Sequence, residues 1–438
     1  MTLTAHDEYR NSRIGWIDIV PVGWGESRLG RLARIYAGGT PDRENAAYWE
    51  GGHIPWVNSG AVNQWEIVKP SALITNAALS GSSTRWVREG ALVLALAGQG
   101  KTKGMAAQMS IAATCNQSMA AIDTDSRLDE KFLLWWLTAN YSNVRSMGGG
   151  DLRDGLNLVH VASIPVPLPP LDEQRQIAEY LDRETGKIDE LIAKQELLIA
   201  TLAERGRALV AQGVTRGIQP EVQLAKSNDW FGSYPAHWTV GRVGNAFTLT
   251  LGKMLNASAK NEGTIRPYLR AGNIQEDGVD LSEVKLMAFS ADEAATLSLR
   301  AGDVVVVEGG GGYGRSDYLD HDIEGWAFQN HVIRARPRAG HDGRFFDYFV
   351  KTVRASGHFE SLGSFATIPN VSADKLSRIR FAMPPLDEQR AISASIDSAL
   401  AAISHLSTKV IETLALLRER RSALISAAAT GKIDVRGL

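Results

Sequence analysis

The sequence predicts two mixed α/β (α+β) domains in tandem, each followed by a long α-helix, with the two helices pairing as a coiled coil. Three observations predict it: a seven-residue string that occurs twice, a spaced set of tryptophan and proline that also occurs twice, and an apolar heptad after each copy of the string.

The string is Pro169-Pro170-Leu171-Asp172-Glu173-Gln174-Arg175, which returns 215 positions later as Pro384-Pro385-Leu386-Asp387-Glu388-Gln389-Arg390. Trp16, Pro21, Trp24, Leu29 and Gly30 return 214 positions later as Trp230, Pro235, Trp238, Val243 and Gly244. The 438 residues are therefore two copies of one unit, with the mixed part first and the helical part second. This places one α/β domain over 14–168, a long helix over 169–217, a second domain over 228–383 and a second helix over 384–433.

Within each domain, Gly90 to Gly98 and Gly302 to Gly309 are apolar runs bounded by glycine, as expected of buried strands that enter a glycine loop. Phe132 to Leu137 and Phe345 to Val350 follow as short helices packed under a sheet. The paired prolines end each domain. Asp172 and Asp387 are placed to cap the free amides of the next helix, and Glu173 and Glu388 suit its positive end. Leu181, Ile188, Gln195, Leu202 and Leu209 then fall every seventh residue, as do Ile396, Ile403, Val410, Leu417 and Leu424. Ile177, Leu191 and Leu198 add a second row, as do Ile392, Leu400, Leu406 and Leu414. About 40 helical residues make a rod on the order of 60 Å. Matching heptads favour mutual packing over each helix lying on its own domain. Gly213, Gly217 and Gly431 are helix-ending residues, and both rods leave by similar exits, Thr215 to Ile218 and Thr430 to Ile433.

Composition narrows the class. Hydrophobic residues make up 44% and charged residues 22%, which is globular rather than disordered or fibrous. The longest apolar stretch, near Ala91 to Ala97, is too short to span a bilayer, and the polar start at Met1 to Ile14 lacks a signal-peptide core. A cytoplasmic protein without a membrane partner is expected. The single cysteine, Cys115, forms no internal disulfide or CxxC zinc pair. His53, His160, His321 and His358 lack ligand-spaced partners, so no metal is assigned. A formal net charge of −2 leaves nucleic acid open, because phosphate binding depends on local clusters.

Taken together, the Pro-Pro-Leu-Asp-Glu-Gln-Arg helix starts, the Trp-x4-Pro-x2-Trp domain entries and the Thr430-Gly431-Lys432-Ile433 ending resemble the specificity subunits of type I restriction-modification systems over essentially the whole chain. The resemblance implies that each α/β domain is a target-recognition domain reading one half of a split double-stranded DNA site. It implies that the helices form an antiparallel pair that sets the separation and docks two methyltransferase (M) subunits. It further implies a non-catalytic chain without a cofactor of its own. S-adenosylmethionine would belong to the M subunits, and ATP and magnesium to restriction/translocase (R) subunits where present. Because the two domains agree poorly outside the shared motifs, the expected site is bipartite and asymmetric.

Candidate DNA contacts sit in polar loops. The glycine loops carry Gln99, Lys101, Thr102 and Lys103 in the first domain and Tyr313, Arg315 and Ser316 in the second; they suit phosphates or guanine edges, or are ordinary solvated turns. Asn116, Gln117 and Ser118 match Gln329, Asn330 and His331, as adenine-reading amides or as partners of strand-end backbone. Asn58 and Ser59 match Arg270 and Asn273, and Arg153 and Asn157 are further candidates. Trp24, Trp135, Trp136 and Trp238 are core residues by their apolar context.

Enzymatic readings fit less well. Ala95 to Thr102 matches a relaxed phosphate-binding P-loop, which would make Lys101 and Thr102 nucleotide ligands, but it begins with Ala and Gly104 interrupts the required helix. Neither the cofactor loop nor the base-binding motif of a methyltransferase is visible, and scattered acids do not make a nuclease centre. A coiled-coil adaptor without DNA preference is the remaining alternative.

Overall fold

The computed structural model describes residues 4–98, 100–149, 155–255, 263–361 and 370–437. The chain divides into two units, Met1–Glu196 with Glu412–Leu438, and Leu197–Ile411.

In the first unit the labelled strands are β1 (Ala33–Ala37), β2 (Ile54–Val57), β3 (Leu92–Ala95), β4 (Ala106–Met109), β5 (Ala113–Cys115) and β6 (Met119–Thr124). One sheet runs β1-β6-β3-β4 with Glu66–Ile67 at its edge; the other places β2 and β5 side by side between Ala72–Ile74 and Trp86–Val87. The apolar run in β3 is explained by burial on both faces. Leu92 and Leu94 point into a core with helix α1 (Glu130–Ala139), whereas Val93 and Ala95 point into a second core against β5. Asp129 starts α1, its Oδ1 accepting from the Phe132 amide at 3.0 Å.

The long helix α2 (Leu171–Arg216) leads to the second unit. Its strands are β7 (Phe247–Leu251), β8 (Thr264–Leu269), β9 (Val304–Val307), β10 (Ser316–Tyr318), β11 (Ala327–Phe328) and β12 (Val332–Pro337), followed by α3 (Gly343–Ala355) and the long helix α4 (Leu386–Ala429). The order β7-β12-β9-β10 repeats that of the first unit, and β8 again lies parallel to its partner, β11. Val304 and Val306 face α3 while Val305 and Val307 face the opposite core.

The repeated string is a clamp between each long helix and its own domain. Gln174 is fully buried; its Oε1 accepts from the Asp129 amide at 2.8 Å, and its Nε2 donates to Arg127 O at 2.9 Å and Pro169 O at 2.8 Å. Gln389 repeats this with Asp342 at 2.9 Å, Gly340 at 3.3 Å and Pro384 at 2.8 Å. Glu173 accepts from the Trp24 indole at 3.0 Å and Glu388 from Trp238 at 3.1 Å. The Glu therefore serves as an indole acceptor rather than only a helix-dipole partner. Asp172 is not the cap: it lies in the first turn, its side chain 90% exposed.

In the first unit the start of α2 and the end of α4 run antiparallel. Asp189 pairs with Arg421 at 2.7 Å and Glu196 with Arg418 at 2.9 Å. Ile177 and Leu181 join the domain core together with Ile425 and Ala428. In the second unit the end of α2 meets the start of α4, where Val210 and Val214 share a core with Ile392 and Ile396. Each helix thus packs both on its own domain and on the other helix. Leu181, Ile188 and Leu202 are buried, but Leu191, Leu198 and Leu406 remain exposed, because a pair of helices covers one stripe and not two.

Run length understates the apolarity of α4. By length and composition it could cross a membrane, with an 18-residue window of mean hydropathy 1.3. The two cores take residues near its ends, such as Ile392 and Ile396 at one and Ile425 and Ala428 at the other, while only 11% of the apolar window is buried.

Residues before position 14 also belong to the first unit. Tyr9–Asn11 pairs with Ile19–Pro21, Thr4 bridges Asp434, and the Tyr9 hydroxyl donates to Gly431 O at 3.0 Å.

Candidate nucleic-acid interface

Sheet topology gathers distant loops at one end of each domain. In the first, β2 and β5 are parallel, so Asn58 and Asn116 emerge side by side, with the Asn116 amide donating to Val57 O at 3.0 Å. The β1 strand ends at the same edge, where the Gly39 amide donates to Cys115 O at 2.9 Å. The Leu96 amide, where the glycine loop begins, donates to Ser118 O at 2.8 Å, and the Leu156 amide closes on Leu96 O at 2.7 Å.

The second domain is wired the same way from different side chains. The Gln329 amide donates to Leu269 O at 2.9 Å, the Lys253 amide to Phe328 O at 3.0 Å, the Glu308 amide to His331 O at 2.9 Å and the Val371 amide to Glu308 O at 2.7 Å. Loops after β1, β2, β3 and β5 correspond to loops after β7, β8, β9 and β11. Every candidate loop except that of Arg153, which lies outside the described residues with Gln99, reaches this edge.

Within the edge the candidates divide by what they touch. Lys101 is exposed, its carbonyl accepting from the Tyr141 hydroxyl at 2.6 Å, while Thr102 is half-buried beside Gly98. Gln117 is exposed and accepts from the Thr40 hydroxyl at 2.5 Å. Half-buried Asn116 has a buried Oδ1 without a hydrogen-bond partner. Gln329 and Asn330 are half-buried; His331 is exposed, 4.0 Å from Glu308, whose carboxyl burial pushes up. The Tyr313 hydroxyl donates to Glu360, and Arg315 donates to Glu276 at 2.9 Å.

Other candidates are buried or engaged in local hydrogen bonds and ion pairs. Lys103 is 3% exposed, so Lys101 is the lysine this loop presents to solvent. Buried Ser316 donates to Asp347 at 2.7 Å, and Asn273, 2% exposed, donates to Asp280 O at 2.8 Å and accepts from the Arg270 amide at 3.2 Å. Asn58 caps the turn Ser59–Gln64 by accepting from the Gly60 amide at 2.9 Å, and half-buried Ser59 opens that turn. Asn157 caps Leu158–Ser163 by accepting from the His160 amide at 2.9 Å. Arg270 is ion-paired with Glu283. Asn58, Asn157 and Asn273 are spent on the loop backbone because a turn leaving a strand has amides without ladder partners.

The structure also decides the P-loop question. The loop after β3 returns into antiparallel β4 instead of leading into a helix as a P-loop does. Burial pushes the Cys115 thiol up to about 12, which leaves this edge without a thiolate nucleophile near neutral pH.

Sequence reasoning missed Gly38 and Gly252, although their separation of 214 was visible. A Cβ on Gly38 would stand 1.9 Å from Cys115 O, and one on Gly252 2.3 Å from Gln329 O. Only glycine lets the strand end cross so close to the neighbouring backbone. Gly38→Ala is expected to lower the stability of its domain by about 2 kcal/mol or more, read as a thermal-unfolding shift; an unchanged melt would show that the edge yields freely. Arg354 and Glu276 were also missed, since nothing local distinguishes them from surface charges.

The type I restriction modification DNA specificity domain matches residues 21–199 and again 235–415. The chain is 26% identical over 293 residues to a protein named for the MjaX type I restriction enzyme specificity subunit of Methanocaldococcus jannaschii, covering 65% of this chain and 63% of that one, less than two thirds of its length. It is 19% identical to the EcoKI specificity subunit of Escherichia coli K12, over 95% of this chain and 90% of that one. A chain solved in work on complex assembly and conformational transition of the type I R-M system has the same fold, with a TM-score of 0.73 at 19% identity over 94% of this chain and 99% of that one. With two family domains in tandem and two long helices behind them, the chain belongs to the type I restriction-modification specificity subunits.

Proposed function

We propose that this chain reads a bipartite, asymmetric double-stranded DNA site, one half with each domain, and carries no catalytic site of its own. The observation behind this is the identical backbone wiring of two loop edges whose side chains differ. A shared scaffold presents two different polar surfaces, which is what recognition of two unlike half-sequences requires.

The long helices supply the docking surface for two M subunits, and for R subunits where a nuclease exists. In the first unit Leu191 and Leu416 are 45% and 65% exposed, and in the second Leu197 and Ile411 are 67% and 57% exposed; a helical partner would cover such residues. S-adenosylmethionine then binds in the M subunits, and ATP and magnesium in the R subunits. The assembly works in the cytoplasm.

Co-expression with a type I methyltransferase subunit, followed by genome-wide mapping of methylated adenine, tests this. A single split motif with two different halves is expected. Stable co-purification without any split methylated motif would overturn the reading and leave an adaptor.

A further inference from the structure

In the second domain two arginines and one carboxylate form a cluster that loop stability alone does not require. Arg315 comes from the glycine loop and Arg354 from the last turn of α3. Arg315 Nε donates to Glu276 Oε1 at 2.9 Å; Arg354 donates from Nη2 to the same oxygen at 2.9 Å and from Nη1 to Oε2 at 3.0 Å. The arginine side chains are 27% and 31% exposed, while Glu276 is 65% exposed.

The loop that carries Glu276 is anchored without it. Ile274 bridges Val279, the Gln275 amide donates to Gly278 O at 2.9 Å, and the Val279 amide donates to Asp317 Oδ2 at 2.9 Å. Gly278, at φ +131, permits the turn. Glu276 is thus held at a turn tip with its carboxylate laid across two half-buried guanidinium groups, which keep that carboxyl below its usual range.

A carboxylate and a phosphodiester offer a guanidinium the same pair of acceptor oxygens. Resting on the proposed DNA-reading function, we infer that Arg315 and Arg354 form a backbone-phosphate site and that Glu276 is its displaceable internal occupant. The two like charges side by side favour an anion at this point, and Glu276 competes with phosphate for it. Because Glu276 is 65% exposed and the turn beneath it is closed without it, its carboxylate can swing to solvent when a phosphate arrives.

The test uses the full chain with a fluorescently labelled duplex of random sequence, titrated at several salt concentrations. A phosphate contact contributes a slope of about 0.9 in log K against log salt, or about fivefold in affinity near ~0.15 M. Glu276→Gln is expected to tighten binding by about fivefold with a steeper salt slope, and Arg354→Gln to weaken it by about as much with a shallower one. In the double variant the gain from Glu276→Gln should vanish. A purely structural Glu276 would instead loosen the loop and weaken binding in both backgrounds. Lys101→Ala, in the other domain, separates the two ideas. If it weakens binding while Glu276→Gln does not tighten it, the phosphate site is wrong and the DNA-reading function stands. If neither Lys101→Ala nor Arg354→Gln changes binding, both fall.

Discussion

Gln174→Ala is expected to destabilise the first unit by about 2–4 kcal/mol, because it strips partners from three backbone groups at once, one buried and two part-buried. The residue is fully buried, and its amide is shared among Asp129 N, Arg127 O and Pro169 O. Leaving the Asp129 amide unpaired also unseats the cap of α1, since Asp129 is the residue whose side chain holds Phe132 N. Gln389→Ala should do the same to the second unit through Asp342, whose side chain caps α3. Hydrogen exchange followed peptide by peptide is the right measurement, because a chain with two units need not unfold in one step. Each variant should lose protection mainly in its own short helix and its own domain. Equal loss in both domains from one substitution would mean that the clamp is not local.

The second large effect concerns specificity. Replacing residues 14–165 by the corresponding domain of another specificity subunit is expected to change one half of the methylated motif completely and leave the other half as it was. The physical basis is that the first domain's loop edge is built from its own loops, while its link to α2 runs through the clamp, Trp24 and the core shared with Ile177 and Leu181. A donor domain that keeps tryptophan at the position of Trp24 therefore meets the same Glu173 acceptor. Methylation mapping after the exchange is decisive: alteration of both halves would show that the domains do not read independently.

Much of this was legible in the sequence because it depends on local order. The duplicated string and the tryptophan pattern marked two units. The seven-residue spacing marked the two long helices, and unbroken apolar runs bounded by glycine marked β3 and β9. Such signals survive because a buried strand or a helix stripe constrains residues close together in the chain.

The division among candidate site residues was not legible. Asn58 and Asn116 are 58 positions apart, and only the parallel pairing of β2 with β5 sets them side by side. Lys101 and Lys103 are chemically alike, yet one is exposed and the other 3% exposed, because the irregular turn between β3 and β4 sends one side chain to solvent and the other inward. Glu276, Arg315 and Arg354 have no shared motif and meet only when three segments close on one another. The duplicated architecture, by itself, was determined by sequence, since repeats and periodicity are properties of the chain. Which polar groups are consumed by the backbone and which remain for a ligand was decided only by tertiary structure, because hydrogen-bond satisfaction depends on neighbours that the chain brings from far away.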